Sequence, residues 1–229
     1  MSPEATDFLY PFIEGDETDS GSLLTDLAAS AGGKWAQSTA LRAETLERCE
    51  DQLRTVAAAM AERFAAGGRL YAFGNGGSAT DAEGVAQLYT RPPHSPVFEP
   101  GRPGRPLPAR SLAEDQAVLT ALSNDIGFDV VFSRQLIAHG RPTDIAMGFS
   151  TSGNSENLLV AFAEARRQGM LTVGLSGYDG GRMAADPNLE HCLVVRSDSV
   201  HRIQESQASL THVLWAYVQE ALAASPVPA

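Results

Sequence analysis

The chain has 229 residues, a hydrophobic fraction of 43% and a formal net charge of -11, which suits one sizeable globular unit with a packed core. Acidity of that size, with no basic cluster to interrupt it, excludes nucleic acid and an anionic membrane surface as direct partners. A small phosphorylated ligand stays open, because backbone N–H groups hold phosphate without net positive charge. The only cysteines, Cys49 and Cys192, are too few for a disulfide framework and read as buried apolar fillers in a reducing compartment. The start of the chain lacks the basic segment and apolar run of a secretory signal. No apolar stretch is long enough to span a bilayer. The expected location is the cytoplasm.

In chain order, residues 1–20 are acidic and irregular and are expected to form a flexible arm. Residues 21–225 are expected to form one domain. Helix begins near Leu23, with a break expected at Gly32-Gly33. A long amphipathic helix follows over residues 41–66, its apolar face marked by Leu46, Cys49, Leu53, Val56, Met60 and Phe64 and its stop by Gly67-Gly68. Short apolar strands are expected over 69–73, 109–112, 144–149, 170–175 and 189–195. Helices are expected from Ala79, over 115–123 and 128–139, after Ser155 to about Gln168, and over 203–223, the last closed by Pro226 and Pro228. The run from Pro92 to Pro108 is Pro- and Gly-rich and reads as a loop. Short apolar strands alternating with helices predict a doubly wound α/β fold with a parallel sheet covered on both faces. Ligands in such sheets bind beyond the carboxyl ends of the strands.

Two loops sit at those ends. Gly74-Asn75-Gly76-Gly77-Ser78 allows positive φ and close approach of backbone to a ligand, but it equally suits a plain strand-to-helix turn. Ser150-Thr151-Ser152-Gly153-Asn154-Ser155 is more telling. A helix start offers N–H donors and a partial positive charge, and its hydroxyls add directed hydrogen bonds to an oxyanion. One hydroxyl is enough to cap a helix; this loop carries four, which favours a phosphate cradle. A third feature is Arg202-Ile203-Gln204-Glu205 with His212 further along the same helix. Gln204 and His212 are eight residues apart, just over two turns, and so lie on roughly one face.

Taken in order, Gly74–Ser78, Asn124-Asp125, Ser150–Ser155, Gly177-Tyr178-Asp179-Gly180-Gly181 and Arg202–Glu205 resemble the bacterial phosphoheptose isomerases of the sugar isomerase (SIS) domain superfamily. The resemblance covers about residues 40 to 222. It implies a flavodoxin-like, five-stranded parallel sheet with an N-terminal helical extension, assembled as a homotetramer. Such enzymes interconvert sedoheptulose 7-phosphate and a heptose 7-phosphate. By this resemblance Ser150, Thr151, Ser152 and Ser155 hold the phosphate, Asn75 and Ser78 face the sugar, and Asp125 lies near the substrate. Gln204 and His212 inherit zinc-ligand roles, with His212 also an acid/base.

The resemblance fails at two positions. Six and ten residues after the serine of the first loop, the family places a His and a Glu, which complete the zinc site; the Glu is the proton-transfer base. Here those positions are Gly84 and Leu88. Zinc is therefore left with Gln204 and His212 alone, fewer than the three or four protein ligands of a stable site. Glu83 is the adjacent carboxylate but lies about 100° around the helix. His94 and Glu99, in a Pro-rich loop longer than its family counterpart, and His201, where some members have Asp, are the other candidates to replace the lost groups. Two functions follow from the sequence: an aldose–ketose isomerase acting on a phosphosugar with a relocated base, or a non-catalytic, regulatory phosphosugar-binding homologue that works through a protein partner.

Overall fold

The structure is a computed structural model that describes residues 20–93 and 104–224, with side chains from residue 24 onward. The expected arm up to residue 19, His94, Glu99, Pro226 and Pro228 lie outside the described residues. The elements run α1 (Ser20–Ala65), β1 (Leu70–Gly74), α2 (Gly77–Thr90), β2 (Ala109–Ser111) and α3 (Gln116–Asp125). A 3-10 turn (Phe128–Val130) leads into α4 (Val131–His139), β3 (Ile145–Ser150), α5 (Glu156–Arg167), β4 (Leu171–Gly177), the short α6 (Gly181–Ala184), β5 (His191–Val195) and α7 (Val200–Ala224).

All five strands are parallel, in the order β2-β1-β3-β4-β5. The chain winds outward in both directions from β1 and β3, so the topological switch point lies between them, where open α/β sheets take their ligands. The period-two alternation of β1 divides the core. Leu70 and Ala72 join Met147, Phe149, Val173 and Leu193 on one face, under α1, α2 and α7. Tyr71 and Phe73 join Ala146, Phe132, Leu158 and Phe162 on the other, under α4 and α5. β1, β3 and β4 are buried along their whole length, as a sheet covered on both faces requires.

One local expectation is corrected. No break occurs at Gly32-Gly33; α1 runs through both glycines. Each glycine costs a helix about 1 kcal/mol, too little to end one that is regular on both sides. By contact the chain divides into two compact units, residues 1–40 and 41–229. In the first, the described helical residues are largely exposed, Leu24, Leu27 and Trp35 among them. The second holds the sheet, the core and both ligand loops.

The sheet's outer edge at β5 is closed by side chains of α1. Arg48 Nη2 donates to the carbonyl of Val194 at 2.8 Å, and Gln52 Nε2 donates to the carbonyl of Cys192 at 3.0 Å.

Candidate functional site

The cradle begins on the last residue of β3. Ser150 is buried, and its Oγ accepts the Gly153 N–H at 3.1 Å. The same oxygen lies 3.2 Å from Ser155 Oγ and 3.5 Å from Ser152 Oγ, so three hydroxyls converge on one point at the carboxyl end of the strand. Ser152 Oγ also accepts the Asn154 N–H at 3.2 Å. Ser155 is the residue before α5, yet its side chain does not cap that helix. Its hydroxyl is therefore not spent on the helix's own N–H groups, as it would be in a simple cap.

Backbone packing fixes this shape. Gly153 has φ +65°, and a Cβ there would lie 2.1 Å from the carbonyl oxygen of Gly180. The Met183 N–H donates to the Gly153 carbonyl at 2.9 Å, and the Arg182 N–H to Asn154 Oδ1 at 3.0 Å. The Gly177–Gly181 motif thus acts as a buttress: the turn after β4 presses backbone to backbone against the cradle.

The loop after β1 lies across the switch point. Asn75 and Asn157 exchange two side-chain hydrogen bonds of 2.9 Å each, tying the first loop to the start of α5. Ser78 is buried in the first turn of α2. Gln204, from α7, sits so close above Gly77 that a Cβ there would lie 2.4 Å from its Nε2.

Beside the cradle, α2 and α7 enclose a cavity of about 290 Å³ lined by Thr80, Asp81, Gly84, Val85, Leu88, Phe149, Ala208, Thr211 and His212. The fold therefore brings Gly84, Leu88 and His212 together. At Gly84 a Cβ would meet nothing within 4 Å, so the site is open there. Leu88 is half-buried and packs against the core. The His212 ring lies 5.4 Å from that of Trp215.

The residue that sequence reasoning missed is Asp81. It is half-buried and lines this cavity, and its Oδ2 accepts a hydrogen bond from Gln204 Nε2 at 3.2 Å. Burial pushes its carboxyl above the usual carboxylate range, while the Gln204 bond opposes the shift. A signal was present in the sequence: Asp81, Gly84 and Leu88 recur at helical spacing on one face of α2.

The other candidates lie elsewhere. Glu83 is exposed and accepts from Gln87 at 3.2 Å, in a separate surface depression with Arg91 and Glu114. His201 is exposed in the first turn of α7. Asp125 is exposed at the end of α3, accepts from its neighbour Asn124 at 2.8 Å, and lines neither the cradle nor the cavity within this chain.

Among the described residues, no three of His, Cys, Asp or Glu gather where they could hold a metal ion. Gly84 and Leu88 offer no donor atoms, so the groups at hand are Asp81, Gln204 and His212.

A parallel sheet in this order, with a hydroxyl-lined loop at its switch point, defines the class. The SIS domain profile matches residues 35–177, and the chain belongs to that family. Within it, the chain's place is the phosphoheptose isomerase branch. It is 41% identical over 178 residues to the phosphoheptose isomerase of Solidesulfovibrio magneticus, covering 78% of this chain and 82% of that protein. It is 47% identical over 163 residues to that of Desulfovibrio desulfuricans, covering 71% and 73%. Among solved structures, the phosphoheptose isomerase of Neisseria gonorrhoeae superposes with a TM-score of 0.75 at 33% identity, over 85% of this chain and 99% of that one.

Proposed function

We propose that this protein binds a phosphorylated sugar at the Ser150–Ser155 cradle and has lost the metal-dependent isomerase chemistry of its relatives. The observation that carries this reading is the contrast within one site. Three hydroxyls converge beside the start of α5, whereas the cavity next to them offers Gly84 and Leu88 where a ligand and a base would stand. Ser150, Thr151, Ser152 and Ser155 hold the phosphate; Asn75 and Ser78 line the approach for the sugar. Aldose–ketose exchange moves a proton between adjacent carbons and needs a base within hydrogen-bond reach, with charge to stabilise the oxyanion. A leucine side chain accepts no proton. Gln204, His212 and Asp81 remain as polar groups, with no donor at Gly84 or Leu88 to complete the set that the resemblance implies for zinc.

The test is an isomerase assay on sedoheptulose 7-phosphate with and without zinc, run beside the double change Gly84→His with Leu88→Glu. The unaltered protein is expected to show little or no turnover, and the double variant to gain zinc-dependent activity. Turnover at an ordinary enzymatic rate by the unaltered protein would overturn the reading. The reading includes a homotetramer with the long helices over residues 41–66 and 203–223 at its centre, carried over from the family resemblance; light scattering that finds a stable monomer at micromolar concentration would reject it.

A further inference from the structure

We propose that Asp81 is the polar anchor for the sugar chain, accepting hydrogen bonds from its hydroxyls while the cradle holds its phosphate. This rests on the phosphosugar reading given above. The cavity lies near the cradle through α7: a Cβ on Gly177 would lie 2.4 Å from the Thr151 carbonyl oxygen and 2.6 Å from Ile203 Cδ1, and the residue after Ile203, Gln204, bonds Asp81. A ligand anchored by phosphate at Ser150–Ser155 has its carbon chain within reach of this cavity. Among the described residues Asp81 makes no ion pair, and one hydrogen bond, from Gln204, engages its Oδ2 at 3.2 Å. A half-buried carboxylate so sparsely satisfied favours a partner rich in donors. A sugar supplies hydroxyls for the carboxylate, and its C–H faces suit the apolar wall of Val85, Leu88 and Phe149. The open space at Gly84 gives the chain room to enter.

The same charge sets direction and selectivity. A carboxylate in the cavity repels a second phosphate, so the anionic end belongs in the cradle and a neutral polyol end at Asp81. The ligand class is therefore a sugar monophosphate, and sugar bisphosphates are rejected.

Calorimetry on the full chain tests this with inorganic phosphate, sedoheptulose 7-phosphate and the corresponding 1,7-bisphosphate, on the parent, Asp81→Ala, Asp81→Asn and Ser152→Ala. For the monophosphate, Asp81→Ala is expected to weaken binding by at least about tenfold, with affinity for inorganic phosphate unchanged. Asp81→Asn keeps an acceptor for Gln204, so it should lose less for the monophosphate and gain affinity for the bisphosphate. A melting curve identifies any variant that fails to fold; if the alanine variant does, the bisphosphate gain in the asparagine variant decides. The inference is overturned if Asp81→Ala leaves monophosphate affinity intact, if it weakens inorganic phosphate equally, or if the parent binds the bisphosphate as tightly as the monophosphate. If the parent binds no phosphate compound, or Ser152→Ala has no effect, the phosphosugar reading itself fails.

Discussion

The cradle between β3 and α5 and the cavity between α2 and α7 lie side by side, but they are built differently. The cradle is one continuous segment. Its hydroxyls come from neighbouring residues, and its shape is held by backbone contacts at Gly153 and Gly180. The cavity takes its groups from two helices far apart in sequence: Thr80 and Thr211 each bond a carbonyl of their own helix, and Asp81 is held by a side chain, Gln204. The fold accommodates both residues found there: Gly84 has open space around it, and Leu88 packs its side chain against the core. Under the reading proposed above, phosphate capture and proton transfer are separable, because the first is assigned to one loop and the second to the positions of Gly84 and Leu88 on a helix.

The largest effect that would sharpen this contrast is a restored rate. Loss of a general base typically costs about 10²–10⁴-fold, so the Gly84→His, Leu88→Glu double variant should gain turnover on that scale with zinc, measured by steady-state assay. If it binds zinc and stays inert, the cavity has diverged beyond the two positions.

The next test breaks the cradle itself. Gly153→Ala places a methyl group against the Gly180 carbonyl in a backbone conformation with φ +65°. It is expected to cost about 2–4 kcal/mol of stability and to abolish phosphosugar binding, checked by denaturant unfolding and calorimetry. A fully stable variant with parental affinity would show that the buttress does not shape the loop.

Removing one hydroxyl should do less. Ser152→Ala deletes a single charge-assisted bond worth about 1.5–3 kcal/mol, and so weakens phosphosugar binding by about tenfold or more.

The smallest expected effect lies on the cavity side. Burial raises the folded-state pKa of Asp81 above its unfolded value, so the folded chain holds that proton more tightly. Stability from this group is full below the unfolded pKa and falls as pH rises through the folded one. Asp81→Asn removes that loss. It should melt higher than the parent at pH 7, with the difference shrinking toward zero below about pH 4. A variant that melts lower at pH 7 would mean that the carboxylate stabilises the fold rather than burdening it.

Much of this was legible in the chain. Strand positions followed from short apolar runs, and the strand-to-helix loops from glycine and serine clusters, because those signals are local. Boundaries shifted by a few residues: α2 opens at Gly77 rather than Ala79, and α7 at Val200 rather than Ile203. Gly32-Gly33 misled because two glycines weaken a helix without ending it. The vacant positions at Gly84 and Leu88 were visible by spacing from Ser78. Asp81 was not singled out, because its meaning comes from contact with Gln204, 123 residues away in the chain. The reason for the Gly177–Gly181 motif was hidden for the same cause: its fit against Gly153 is a contact between backbones, which no side-chain pattern records.

The hydrogen bonds from Arg48 and Gln52 to the β5 carbonyls have a bearing on biosynthesis. An open strand edge invites pairing with another chain and is a common route to aggregation. Here β5 is covered by a helix made long before it, across separations of 146 and 140 residues. Domains form from the N-terminus during synthesis, so α1 exists well before β5 leaves the ribosome. The vulnerable edge emerges into the presence of its cover. A circular permutant opened between α1 and β1, which delivers α1 last, should keep the same fold yet yield more aggregate during expression.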